Sequence, residues 1–226
     1  MDIRFLGHAT FELIDGDSRV LVDPFLKPNN PQAPVTADEV DPTHILLTHC
    51  HVDHAADAVA IATRTGAHCV GVVETAQWLG GKGVENVSDP NLGGTVEFDW
   101  GWVKLVQALH SSTTPDGTVT YASGLVINIG GQTVYHLGDT CLFGDMRLIV
   151  ERTPVDIALV PIGGHYTMDR HDAVVAAEMI AAKTVIPCHY NTFPPIETDV
   201  VAYKADVESK TSSKVVVLEP GETFTA

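Results

Sequence analysis

Six residues that include four metal-capable side chains follow a short apolar segment in the first quarter of the chain. The apolar residues are Ile45, Leu46 and Leu47, and the metal-capable side chains are those of His49, His51, Asp53 and His54. Imidazoles and a carboxylate that are buried together carry a large desolvation cost unless a cation or hydrogen bonds compensate. The stretch therefore predicts a metal site at the end of a buried strand, and the fold must bring further ligands to it.

The spacing within this stretch favours two neighbouring cations. His49 and His51 lie on the same side of an extended segment, so both can reach one cation, whereas Asp53 and His54 are displaced toward a second. Two metal ions about 3.5–4 Å apart can share a bridging water or hydroxide and clamp the attacking and leaving atoms of a displacement. Catalytic zinc usually takes three protein ligands, so each cation needs residues from elsewhere in the chain.

Candidates for the missing ligands follow three later apolar runs. They are His110, Asp139 and His189. The end of a buried strand is where a side chain leaves the core for a cleft, and such ends meet at one edge of a sheet. We therefore expect the three side chains to converge on the first stretch, although His110 or His189 taken alone would also fit a structural histidine at a strand end.

The order of predicted strands and helices indicates the fold class. Strands are predicted over 2–7, 10–14 and 19–23, the segment 84–140 is mostly β, and helices alternate with strands in the remainder. Runs of strands flanked by strand–helix units favour an α/β (α+β) fold, in which two mixed sheets pack face to face and helices cover the outer faces. Because no linker separates the halves, we expect residues 1–226 to form one domain.

The acidic composition limits the classes of molecule that this protein is expected to bind. With 13 basic and 29 acidic residues, the chain has a formal charge of −16, so its field repels polyanions and disfavours nucleic acids. No apolar run reaches the roughly 20 residues of a membrane-spanning helix, and the N-terminal residues lack the pattern of a signal peptide. We therefore expect a cytoplasmic protein that acts on a small molecule and has no membrane partner. The sequence leaves a homo-oligomer open.

The ordered motifs resemble one known family. THxHxDH (residues 48–54), a strand-end histidine, GDT (138–140) and a late strand-end histidine are similar to the metallo-β-lactamase superfamily, whose members are four-layer αββα hydrolases. FLGHATF (5–11), VDPF (22–25) and PCHYNTFP (187–194) more narrowly resemble its metal-dependent hydrolase branch, which is related to the L-ascorbate-6-phosphate lactonase type. The resemblance covers essentially the whole chain.

The resemblance implies a role for each candidate ligand. One metal would be held by His49, His51 and His110, and the other by Asp53, His54 and His189, with Asp139 bridging them. A hydroxide between the metals would attack a carbonyl or phosphoryl group, and Asp53 would orient it or pass a proton to the leaving group. Asp23 would accept the free N–H of a ligand histidine, although it is also consistent with a turn before Pro24.

Further residues are predicted to border the cleft. His8 and His165 follow glycines in loops, where catalytic groups gather, and are candidates for an oxyanion contact or for proton donation to the leaving group. The segment 27–43 is rich in Pro and Asn, and we expect it to form a lid over the cleft. Cys50 departs from the Gly or Ser of many relatives, and its thiol could make activity sensitive to oxidation.

The leading hypothesis is a dinuclear metal-dependent hydrolase that cleaves a small ester, lactone or phosphoester. Histidine and carboxylate ligands suit two divalent ions, with Zn²⁺ as the first choice and Mn²⁺, Fe²⁺ or Ni²⁺ as alternatives, because ligand identity selects weakly among them. Two other hypotheses stay open. One is a di-iron oxidoreductase on the same fold, and the other is a metal-stabilised binding module without catalytic activity.

Overall fold

Short apolar segments separated by Gly, Pro, Asn and Asp form fourteen strands in the computed structural model, which describes residues 1–226. In chain order the strands are β1 (Asp2–Phe5), β2 (Phe11–Asp15), β3 (Ser18–Val22), β4 (His44–Leu46), β5 (His68–Val70), β6 (Val87–Ser88), β7 (Thr95–Phe98), β8 (Gly101–Gln107), β9 (Ser123–Ile129), β10 (Gln132–His136), β11 (Ile157–Pro161), β12 (Thr184–Cys188), β13 (Lys214–Val215) and β14 (Thr223–Thr225). The helices are α1 (Val52–Ala55), α2 (Ala58–Thr65), α3 (Val73–Gly81), α4 (Met146–Arg152), α5 (Arg170–Ile180) and α6 (Val200–Lys210).

The strands form two seven-stranded sheets. The first has the order β14-β1-β2-β3-β4-β5-β6, and the second has the order β13-β12-β11-β10-β9-β8-β7. Both sheets are mixed, because antiparallel hairpins (β1 to β3 and β7 to β10) continue into parallel pairs (β3 to β6 and β10 to β13). Parallel neighbours need crossover connections, and these carry most of the helices.

Three clusters of buried apolar side chains separate four layers. One cluster lies between the two sheets and includes Leu46 and Leu125. A second packs the outer face of the first sheet against α2 and α3, around Ile61. The third packs the second sheet against α4, α5 and α6, around Tyr203. The predicted αββα architecture is therefore confirmed. No helix in the structure has the length and apolar character needed to cross a membrane.

Two local features differ from the sequence-based expectation. The alanine-rich segment 55–65 favours one helix by its sequence, but α2 begins only at Ala58, and Ala55 is the last residue of the separate turn α1. The Asp57 carboxylate, between the two helices, accepts the backbone N–H of Leu26 at 2.6 Å. The short β14 was not predicted, since three residues give little periodic signal. It pairs antiparallel with β1, with Thr225 opposite Asp2, and extends the first sheet at its edge.

Candidate metal centre

The candidate ligands lie where strands of both sheets end. The first sheet supplies the stretch that follows β4, and the second supplies His110 after β8, Asp139 after β10 and His189 after β12. The strands β8, β10 and β12 run in the same direction, because β8 and β10 both pair antiparallel with β9 and β12 joins through parallel β11. Their carboxyl ends therefore meet at one edge, as the sequence predicted.

Three histidines form the first group of candidate ligands. One ligand nitrogen from each of His49, His51 and His110 lies within 4.8 Å of the others. His49 Nε2 is 3.1 Å from His51 Nδ1. Tetrahedral zinc with bonds of about 2.0–2.1 Å needs nitrogens about 3.4 Å apart, so the spacing of this pair suits a shared cation.

The second group contains Asp53, His54 and His189, joined by His8, and their ligand atoms also lie within 4.8 Å of one another. Asp139 stands between the two groups. Its Oδ2 is 3.1 Å from His189 Nε2 and 3.5 Å from His110 Nε2, and its Oδ1 is 3.2 Å from His54 Nε2. The geometry brings all seven predicted ligands into one cluster.

Unpartnered buried atoms test whether this cluster suits a cation. His54 Nε2, Asp139 Oδ1 and both ring nitrogens of His189 are buried and make no hydrogen bond of good geometry, although the two Nε2 atoms lie 3.2 and 3.1 Å from the Asp139 carboxylate. A buried polar atom without a hydrogen bond costs on the order of 1–3 kcal/mol, so several in one place indicate a missing partner. Imidazole nitrogens and carboxylate oxygens are ligands of divalent transition metals, and the residues present therefore fit metal ions.

At most positions of the cluster, electrostatics favour the protonation state that binds a metal ion, which is a neutral imidazole or an ionised carboxylate. Burial holds the pKa of His49 well below its ordinary value, and the neighbouring His54 lowers it further, so His49 stays neutral. Burial opposes ionisation of Asp139, but His189 and His54 outweigh it and hold its pKa well below the usual range. His54 differs, because Asp139 and Asp23 overcome burial and raise its pKa well above normal. A cation at His54 would therefore displace a proton.

Asp23 lies behind His54, on the side away from the cavity. It is fully buried in a left-handed backbone conformation (φ 47°), and its Oδ2 accepts the Nδ1–H of His54 at 2.8 Å. Its Oδ1 accepts the backbone N–H of Thr48 at 2.8 Å. These bonds leave His54 Nε2 directed at Asp139. A carboxylate in this position can hold the ring of a metal-binding histidine in place. Asp23 also lies in the predicted turn before Pro24, so the two interpretations of this residue are compatible.

His8 is fully buried and contacts Asp53 rather than the cavity. Its Nε2 lies 3.2 Å from Asp53 Oδ2, and its Nδ1 lies 2.9 Å from Thr192 Oγ1. Burial, with help from the nearby His189, lowers the pKa of His8 to about 4. The backbone of His8 is in the left-handed region, with a φ of 57°. Contact of His8 with a substrate stays a prediction.

His165 is exposed, and its ring packs edge-on against Tyr166 with centroids 4.5 Å apart. Tyr166 lines the cavity, whereas His165 does not. A role for His165 as proton donor therefore also stays a prediction.

The thiol of Cys50 points away from the ligands toward Thr75 Oγ1 at 3.2 Å. Burial raises the pKa of this thiol, which disfavours the thiolate that oxidants attack.

A cavity of about 570 Å³ opens above the cluster. Asn29 reaches it from the loop 27–43, so the predicted lid does border the site. Gln32 anchors the same loop: its Nε2 donates to the carbonyl of Asn191 at 2.8 Å, and its Oε1 accepts from the hydroxyl of Thr192 at 3.1 Å. Sequence reasoning missed this pair, because nothing local marks a single glutamine as the partner of a residue 160 positions away. The lining residues are Phe25, Asn29, His51, Val52, Asp53, His110, Ser111, Asp139, Tyr166 and Phe193.

The backbone at Gly163 helps to set the position of His189. A Cβ added at Gly163 would collide with the carbonyl oxygen of His189 and lie 2.9 Å from Cβ of Ile196. We expect Gly163→Ala to lower the free energy of unfolding by about 1–3 kcal/mol, as overpacked sites do, and to weaken metal binding. Urea unfolding measures the first effect. Gly144→Ala is the matched control, because a Cβ there meets nothing within 4 Å, and an equal loss in both variants would contradict the expectation.

Comparisons with known proteins agree with this geometry. A family model described as "Beta-lactamase superfamily domain" matches residues 2–189. A UPF0173 metal-dependent hydrolase of Symbiobacterium thermophilum is 46% identical over 228 residues and covers 100% of both chains. One from Methanopyrus kandleri is 46% identical over 230 residues and covers 99% of each. The solved structure of Igni18, a novel metallo hydrolase from the archaeon Ignicoccus hospitalis, matches this chain with a TM-score of 0.89 and a sequence identity of 37%. The match covers 100% of this chain and 98% of the Igni18 chain.

Proposed function

Because the chain belongs to the metallo-β-lactamase superfamily and, within it, to the UPF0173 metal-dependent hydrolases, we propose that it uses two divalent cations to cleave a small ester, lactone or phosphoester. The chain is a metal-dependent hydrolase. The number of cations, their identity and the substrate class are the proposal. Zinc is the first candidate, with manganese, iron and nickel as alternatives. The resemblance to the lactonase type supports lactones among the substrates to be tested.

The position of Asp139 is the observation that carries the two-cation proposal. Its two oxygens lie within 3.1–3.5 Å of nitrogens from both histidine groups, so one carboxylate could serve two cations at once. In the proposal it joins two sets of three ligands. The first set is His49, His51 and His110, and the second is Asp53, His54 and His189.

The residues around the cluster would divide the work of hydrolysis. When bound, divalent cations supply an activated water and polarise the scissile bond. His8 holds Oδ2 of Asp53 at 3.2 Å, which leaves Oδ1 available to orient that water and to carry its proton to the leaving group. The rings of Phe25 and Phe193 line the cavity and exclude bulk water from the reacting groups.

The substitution His51→Ala distinguishes the hypothesis of an enzyme from that of a metal-stabilised binding module. His51 is only half-buried, so we expect the variant to stay folded while kcat/KM falls by about 100-fold or more, because one cation loses one of its three histidine ligands. Circular dichroism and turnover of zinc-repleted protein measure the two effects. His171→Ala is the control, since His171 is exposed on α5. A pure loss of stability, in a protein that shows no turnover before the substitution either, would support the binding module.

A further inference from the structure

We propose that the substrate is an uncharged carboxylic ester or lactone with an apolar substituent, and that the cavity selects against phosphorylated compounds. The inference rests on the proposed function, because it narrows the substrate class of the same site. Hydrolysis would add water across the acyl C–O bond. The hydroxyl goes to the acyl carbon, the alcohol leaves with the other proton, and the new acid ionises to a carboxylate.

Apart from the proposed ligands, the cavity lining is mostly apolar. Phe25 and Phe193 stand beside each other with ring centroids 6.4 Å apart, and Val52 and Tyr166 complete the wall. Val52 and Tyr166 are 59% and 54% exposed, so the apolar surface they present is still in contact with water. Covering it with a substrate is favourable in proportion to the area removed from water. These walls suit an alkyl or aryl group.

The side chains of the cavity lining include no lysine or arginine that could bind a phosphate. Lys and Arg are the side chains that usually recognise phosphate through charge-assisted or bidentate hydrogen bonds. Helix N-termini are the other common phosphate sites. Among the lining residues only Val52 and Asp53 belong to a helix, and α1 is a single turn, so its dipole is small.

Acidic side chains surround the proposed metal centre. The carboxylates of Asp53 and Asp139 would be ligands of the cations, and that of Asp23 lies behind His54. At longer range, the formal charge of −16 repels anionic substrates and favours departure of the carboxylate product.

A pair of esters with the same scissile bond tests the inference on the zinc-repleted full chain. We expect kcat/KM for 4-nitrophenyl hexanoate to exceed that for 4-nitrophenyl 6-phosphonohexanoate by about 100-fold, roughly the effect of one missing charge-assisted contact. Binding of the matching inert methyl ketones, measured by calorimetry on metal-free and zinc-loaded protein, gives a second readout that does not depend on turnover. The neutral ketone should bind more tightly in both forms.

Val52→Lys adds a positive charge to the cavity wall and should reduce the ratio of the two kcat/KM values about tenfold. Val52→Gln, of similar length but uncharged, should leave this ratio unchanged. Equal or faster cleavage of the phosphonate ester, or faster cleavage of bis(4-nitrophenyl) phosphate than of the hexanoate, would overturn the inference while leaving a hydrolase. If no ester is cleaved but the neutral ketone still binds more tightly than its phosphonate counterpart, the proposed hydrolysis of esters is wrong and the preference of the cavity for neutral ligands is supported.

Discussion

Asp139→Asn is expected to lower kcat/KM on the order of 1000-fold and to reduce the zinc bound per chain by at least one equivalent. The substitution keeps the shape of the side chain but removes the negative charge that lies within 3.1–3.5 Å of nitrogens from His54, His110 and His189. A pair of metal ions contributes several kcal/mol of transition-state charge stabilisation, and about 4 kcal/mol corresponds to this loss of rate.

Metal analysis after zinc repletion and steady-state kinetics on the best ester substrate measure the two effects of Asp139→Asn. Asp89→Asn is the control, because it makes the same change of charge at an exposed position. Circular dichroism excludes misfolding as the cause. Two equivalents of zinc and full activity in the Asp139→Asn variant would refute a bridging role for this carboxylate.

Removal of metal is expected to lower the melting temperature of the protein by about 10 °C. The buried atoms of His54, Asp139 and His189 that lack hydrogen-bond partners would lose their compensating cations. A ligand present at about 1000 times its Kd stabilises the folded state by about 4 kcal/mol, and for a chain of this size each kcal/mol shifts the Tm by about 2–4 °C.

Differential scanning fluorimetry of chelator-treated protein, titrated with Zn²⁺, measures this shift. Mg²⁺ serves as the control cation, because it prefers oxygen ligands and should not restore stability. His171→Ala should retain the full shift and Asp139→Asn only part of it. Identical melting temperatures with and without zinc would contradict a metal site at this cluster.

The convergence of the ligands could be predicted because each follows a local apolar run. Such runs locate strands, and the rule that carboxyl ends of strands running in the same direction share an edge then brings together residues as distant as His110 and His189. The layered fold followed from the same pattern of strands and helices. Neither result required knowledge of how individual loops are shaped.

The remainder depended on tertiary contacts that have no local signal. The ring of His8 lies between Asp53 and Thr192, and the carboxylate of Asp57, between α1 and α2, accepts the backbone N–H of Leu26. The contact between Gln32 and Thr192 joins two loops from opposite ends of the chain. In each case the geometry is set by a partner that the surrounding residues do not indicate.

The division of the ligands between two sheets also has a consequence during synthesis on the ribosome. A nascent chain that has folded β4 and β8 holds all three histidines of the first group, but the second group waits for His189, which emerges about 80 residues after His110. Contacts this distant in sequence form late. We therefore expect the two halves of the centre to capture metal at different times, the second only once the parallel strands of the second sheet have assembled.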